Sequence, residues 1–600
     1  MKKFTMLSSV LATALMLTVA SCSSEDVAGG DAQNGKGATS YLAVNIENVG
    51  SAPASRAYDQ GNGTYEDGTD AESKINKVRF YFFNGDGTPY LLVNNDPTNN
   101  QSVNYLDQTV ETAGDDHDHT AEIKTKAVLV LKGETKAIPA SVIAVINPGV
   151  LDNTTLKSGT MTLSELRTSA TGTKFYDETN GFVMSNSVYE SAGQDVCSTP
   201  VANNVFASSE AALKKPVDIY VERVNAKVNA KIDADYVRTN ETEKAWSKNA
   251  EGKYQINVGN IDVTTYAENT NATPTTKTYP VYAVVQGWQV ADANGKAEVC
   301  KQINTAWYAG ELGISPWTTS DYHRCFWSKS VPFNFGAQGE VNHPVNPKFE
   351  NIKLSLSGDF STTPVYTLPN TPTEVIANPT TSLNTLTKLI VAAKLVYLDK
   401  DGKYKPAQVC QYRGLTYLGE EAVKKQIVGG FAKYFKKTTT ESGDVYKSIE
   451  ASDIAFKTVV PGSPESSEVK NYEVVATLAS TVGDLYVKNG DAWTIAPKDD
   501  VNAALAKETA QVRSTDGATY YYTPIKHLGE AGKLGEYGIV RNHSYQVTIQ
   551  NIKGFGTPVY DPKKEIDPMI PSDENTYLAA SIKVLSWRVV SSKVNLDQTK

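Results

Sequence analysis

Apolar residues recur at every second position over much of this chain, the pattern of strands with one face buried. In the run 77–83, Val78, Phe80 and Phe82 share a face, and Asn84-Gly85-Asp86-Gly87 then supplies the residues of a hairpin turn. Asn84, Asp86 and Thr88 also have calcium-loop side chains, but the distal bidentate Glu of an EF-hand is missing. Further strands are predicted at 127–131, 141–146, 282–290, 389–398, 472–478 and 545–552. Asp399-Lys400-Asp401-Gly402 reads as a second turn. Val217, Ile219 and Val221 alternate, and Val224, Ala226, Val228, Ala230 and Ile232 alternate with the opposite parity. A slip of one residue moves every side chain to the other face, so a β-bulge or a crossing between sheets is expected near Arg223. A domain boundary is placed just before it, near residue 215. One helix is predicted where Val423, Ile427, Phe431, Tyr434 and Phe435 keep a 3.6-residue period, weakened by Gly429 and Gly430.

The two ends break this regular picture. Lys2 and Lys3 precede an apolar run from about Met6 to Ala20. That run is shorter than the roughly 20 residues a spanning helix needs, and it fits a secretory signal. It closes on Val19-Ala20-Ser21-Cys22, which resembles a lipobox with Cys22 as the acylated residue, and Ser23-Ser24-Glu25-Asp26 resembles a short acidic surface-export tag. A polar tether to about residue 40 leads into a strand in which Leu42, Val44 and Ile46 share a face. Loose sequence follows, with Arg56-Ala57 inside it. A lone strand between flexible segments must pair with something distant. At the other end, prolines at 562, 568 and 571 give a stiff connector. Leu578, Ala580, Ile582 and Val584 then alternate, Leu585, Trp587 and Val589 take the other face, and parity slips again to Val590, Val594 and Leu596.

Composition narrows the function classes. The chain has 600 residues, too many for one core. A formal charge of −9 argues against nucleic acid as a partner. Beyond Cys22 there are Cys197, Cys300, Cys325 and Cys410, without CxxC spacing. Two disulfides and buried free thiols both remain open, and zinc is not expected. Asp115-Asp116-His117-Asp118-His119 is the one His-acid cluster and reads as a solvated acidic turn. No HExxH, P-loop or GxSxG occurs, so no catalytic residue, cofactor or metal is assigned and an enzyme is not expected. Trp307, Trp317 and Trp327 lie among Pro and Gly and read as loop aromatics packed on a sandwich.

Several segments together resemble a known family. Gly63-Thr64-Tyr65-Glu66-Asp67-Gly68-Thr69-Asp70, followed by 78–83, looks like the start of the minor (short-fimbria) fimbrillins of the Bacteroidales. Residues 221–228, Arg541-Asn542-His543-Ser544-Tyr545, Lys553-Gly554-Phe555-Gly556-Thr557-Pro558 and 582–590 are similar to that family's central and late segments, in the same order. The resemblance implies a mostly β protein with two transthyretin-like β-sandwich domains and few short helices. It implies a signal peptide over 1–21, a lipidated tether and removable first strand over 22–56, sandwich domains over 57–215 and 216–570, and a donor-strand tail over 571–600. An arginine-specific protease would cut after Arg56, before Ala57, releasing the strand of Leu42, Val44 and Ile46. The tail of a neighbouring copy (Leu578, Ala580, Ile582, Val584, Leu585, Trp587, Val589, Val590, Val594 and Leu596) would replace it. The implied partners are other copies of the chain in a head-to-tail filament, accessory and anchor subunits, the protease, and the outer membrane through the precursor's lipid. The competing readings are a tip or accessory adhesin of the same system and a surface glycan-binding lipoprotein.

Overall fold

The structure, a computed structural model, describes residues 39–48 and 69–591, apart from 97–99, 110–124, 152–154, 157–158, 173–174, 187–188, 192–193, 266–274, 303–322, 325–327, 335–341, 377–385, 459–472, 528–530, 567, 569–576 and 587. Cys22, Arg56, Ala57, the 115–119 cluster, the three loop tryptophans, Cys325, Trp587, Val594 and Leu596 lie outside the described residues.

The first sheet is built from β1 (Thr39–Asn48), β2 (Lys77–Phe83), β3 (Tyr105–Thr109), β4 (Thr125–Lys132), β5 (Ser141–Ile146), β6 (Met184–Asn186) and β7 (Val217–Arg223). Their order is β4-β1-β7-β6-β5-β2-β3, with two short strands added at the side. One face carries Leu42, Val44, Val78, Phe80, Phe82, Leu129 and Ile219 in a single core. The other face of β2 is also buried, because Tyr81 and Phe83 enter a second cluster with Ile143 and Val145. The hairpin turn after β2 forms at 84–88, where Asn84 and Thr88 close the backbone and the Asp86 carboxylate accepts from the Thr88 N–H. At the end of β5, Asn147 takes a left-handed conformation and Pro148 ends the ladder.

The parity slip near Arg223 is a crossing between sheets. β7 ends at Arg223, and β8 (Ala226–Ile232) resumes two residues later in a different sheet. Sheet membership therefore changes at Val224-Asn225, somewhat after the boundary expected near 215. β8 runs parallel to β13 (His543–Lys553), which pairs antiparallel with β14 (Tyr577–Ser586), and β14 turns back into β15 (Arg588–Ser591). Facing this layer is a sheet containing β9 (Tyr254–Thr265), β10 (Thr275–Ala291), β11 (Lys388–Leu398) and β12 (Ala518–Pro524). Side chains from both layers, among them Val228, Trp288, Val391 and Val547, interdigitate in one core. This is the packing of a β-sandwich.

A third core was not foreseen inside 216–570. Between β11 and β12 the chain forms two further sheets, of five and four strands, and two helices around Cys410, Val423, Ile427, Val474, Leu485 and Val501. The predicted helix is there, but it spans Glu420–Gly430. It ends at Gly429-Gly430, and Phe435 begins a strand instead of extending the helical period. Cys197, Cys300 and Cys410, the described cysteines beyond the leader, are buried, and Cys300 and Cys410 are free thiols.

Candidate assembly site

β1 is held on both sides. Along one edge it pairs antiparallel with β4 over eight residues, from Thr39 opposite Lys132 to Ile46 opposite Thr125. Along the other edge, Val44 to Asn48 run parallel to Val217 to Val221, and Tyr41 and Leu42 pair with Phe206 and Val205. Leu42 and Val44 are fully buried against Leu129, Leu131, Val217 and Ile219. Ile46 lies opposite Ile219 in the register. Without β1, the facing edges of β4 and β7 would lose their ladder partners, and an apolar slot would open between them. Unpaired buried backbone and bare apolar walls are both costly.

The C-terminal segment is placed on its own domain. β14 lies antiparallel along β13 from Tyr577 opposite Lys553 to Ser586 opposite His543, with a bulge near Asn551. Ala580 is buried in the sandwich core. The sequence suggested one extended segment with two slips of parity. The chain instead reverses after Ser586, so that Val589 faces Leu585 and Val590 faces Val584. In the isolated chain, then, Leu578, Ala580, Ile582, Val584 and Leu585 sit on an edge strand covered on one side by β13 and partly on the other by β15.

Residues 514–593, which carry β12 to β15, match the family described as major fimbrial subunit protein type IV, fimbrillin, C-terminal. This match makes the C-terminal segment fimbrillin-like. No curated protein matches the chain. Among solved structures it is similar to a fimbrillin of Porphyromonas gingivalis W83, at 12% identity and a TM-score of 0.32, covering 92% of this chain and 99% of that one. It is also similar to a tip fimbrial protein of Porphyromonas gingivalis with a C-terminal truncation, at 11% identity and a TM-score of 0.29, covering 91% and 99%. A fimbrial assembly protein of Parabacteroides distasonis is similar at 8% identity and a TM-score of 0.23, covering 76% and 98%. The likeness to fimbrillins rests on the match over 514–593.

The two halves of the protein meet at a polar seam. The Glu72 carboxylate, fully buried, accepts from the Tyr366 hydroxyl at 2.6 Å and pairs with Lys227 at 3.0 Å. It belongs to a short helix, Asp70–Ser73, set by a capping box with Thr69. The Arg223 guanidinium donates to the Glu72 carbonyl at 2.8 Å and to Asn542 Oδ1 at 3.3 Å. Lys301 pairs with Glu222 at 2.9 Å, both buried, and Arg541 donates to the carbonyls of Glu298 and Val299. Buried polar contacts of this kind are directional, so they fix how one half sits against the other. That orientation sets where the C-terminal edge lies relative to the β1 slot.

Burial acts to raise the Glu72 carboxyl, but Lys227, Tyr366 and the Thr69 N–H overcome it and hold the group below its ordinary value. A carboxyl lowered in the folded state stabilises the fold above its unfolded value of 4.5, and that contribution is lost as pH falls below it. Glu72→Gln leaves Lys227 without its carboxylate and is expected to cost about 3–5 kcal/mol at neutral pH. The gap between wild type and E72Q should narrow below pH 4.5, read by urea unfolding at a series of pH values.

Nothing in the residue pattern pointed to the seam. Glu72 and Lys227 are 155 positions apart, and Arg223 and Asn542 are 319 apart. The walls of the slot were partly visible as the alternation of Val217, Ile219 and Val221, but which strand they flank was not.

Proposed function

We propose that this chain is the structural subunit of a surface fimbria shaft and supports adhesion. It is exported as an outer-membrane lipoprotein acylated at Cys22, and it matures by an arginine-specific cut between Arg56 and Ala57. It then polymerises by strand exchange, the tail of one copy entering the β1 slot of the next. The observation that carries this reading is the position of β1. It is an internal strand with two partners, yet it is joined to the rest of its domain only through 49–68. A cut at Arg56 would separate β1 from the domain without severing any described element.

The energetics favour exchange over self-docking. On its own domain β14 has one full-length neighbour, and only Lys583 to Ser586 are paired on the other side. In the slot the same segment would be flanked by β4 and β7. Five or six apolar side chains seated at about 1.5–3 kcal/mol each give on the order of 10 kcal/mol before ordering costs. Strand addition supplies grip through the backbone and register through alternate side chains. The contact is heterologous and does not close on itself, so it propagates as a filament.

Purified full-length chain treated with an arginine-specific protease tests the sequence of events. Filaments visible by electron microscopy should follow the loss of residues up to Arg56. A fully cut sample that stays monomeric, with β1 released, would refute strand exchange as the assembly step.

A further inference from the structure

At the end of β10, away from the slot and the tail, a buried ion pair lies beside a half-buried carboxamide. Lys388 stands on β11 opposite Ala291, the last residue of β10, and Asp292 follows directly. The Lys388 and Asp292 side chains are both fully buried. The Lys388 ammonium donates to Asp292 Oδ2 and to the Leu386 carbonyl at 3.0 Å. Asp292 Oδ1 has no hydrogen-bond partner. The third group is Asn346. A reciprocal backbone bridge between Ala293 and Val345, with bonds of 2.8 and 3.2 Å, brings it alongside. The Asp292 N–H donates to Asn346 Oδ1 at 2.7 Å. Asp292 therefore stands between the other two, its carboxylate on the lysine and its N–H on the carboxamide oxygen. Ala291, Phe349, Ile352, Ile390 and Ala392 form an apolar cluster beside the site.

A buried ion pair is an expensive way to fill such a place. Burial pushes the Asp292 carboxyl up, against the opposing pull of Lys388 and Asn346. Low dielectric favours the neutral carboxylic acid, and the ammonium in contact with it is the proton source. A neutral lysine is a nucleophile. A carboxamide whose oxygen already accepts a backbone N–H is polarised for attack, with that N–H aimed at the developing oxyanion. Their separate contacts with Asp292 hold the two groups on either side of one residue.

We propose that Lys388 and Asn346 are joined by an intramolecular isopeptide bond, with Asp292 as the proton carrier. The Lys388 ammonium first passes a proton to Asp292. Nζ then adds to Cγ of Asn346, and Oδ1 takes the negative charge facing the Asp292 N–H. Asp292 gives its proton to Nδ2, the Cγ–Nδ2 bond breaks, and ammonia leaves. The second proton lost by Nζ returns to Asp292, which ends neutral. Amine and carboxamide become a secondary amide and ammonia, so no oxidant or outside reagent is needed. The bond would tie β11 covalently to the segment beside the end of β10 and lock that end of the sandwich against pulling forces. It rests on this geometry alone and does not depend on the assembly reading.

Peptide mapping of the denatured full-length chain tests it. Wild type should yield a branched peptide containing Lys388 and Asn346, lighter than its two parts by the mass of one ammonia. Asp292→Asn, which keeps the shape but removes the proton carrier, should yield the two linear peptides. The wild-type digest decides the question even if that variant folds poorly. Only linear peptides from wild type would overturn the proposal. A branch lighter by one water would also overturn it, because that would join Lys388 to Asp292 instead.

Discussion

Deleting residues 578–600 should give a subunit that is still exported and folded but forms no filaments. The sandwich core keeps Tyr545, Val547 and Ile549 on β13, which stays paired with β8. Its outer edge loses β14, so some loss of stability is expected together with a cooperative unfolding transition. Assembly should fall from a full ladder of detergent-resistant multimers to none, because the deleted segment is the one that would fill the neighbour's slot. The mixture with wild type is informative as well. A tail-less copy still has a slot, so it should cap growing filaments and shorten them. Normal filaments from the truncated chain would show that the tail is wrongly assigned as donor.

Arg56→Ala should have an equally large effect by the opposite route. The tail is intact, but β1 remains between β4 and β7, and its eight pairs with β4 leave no edge to enter. The expected product is a lipidated monomer that retains Cys22 and does not polymerise. A cut displaced to Lys36 would remove Cys22 and its lipid but would still give no filaments, since it lies before β1 and leaves the strand in place. Wild-type filament yield from R56A would mean that removal of β1 does not depend on this bond.

Parts of this architecture could be read directly from the residues. Strands 141–146 and 389–398 stood out because apolar residues and turn signals bounded them cleanly. The change of parity near Arg223 was a faithful record of the chain leaving one sheet for another. Both-face burial of β2 was not legible, because Tyr81 and Phe83 alternate with the obvious stripe and look like its solvent side. The inserted module was missed for a similar reason. Its strands include Phe435–Thr440 and Gly443–Ser448, which are largely polar and exposed and carry little period-two signal. The helix was read too long because Tyr434 and Phe435 extend its period by chance, and the pair Gly429-Gly430 decides its end. The reversal of the tail at Ser586 was hidden because Leu585, Trp587 and Val589 continue an alternation that a straight strand would also show. Glu72, Lys227, Arg223 and Lys388 became meaningful only when folding brought distant partners to them.

The central claim is that the working subunit lacks β1 and is completed by another copy. The most direct measurement is N-terminal sequencing of the protein purified from cells, on the same samples run on gels without boiling. The account predicts Ala57 as the first residue and a ladder of multimers that collapses on heating. A single lipidated species beginning at Cys22, with no ladder, would contradict it.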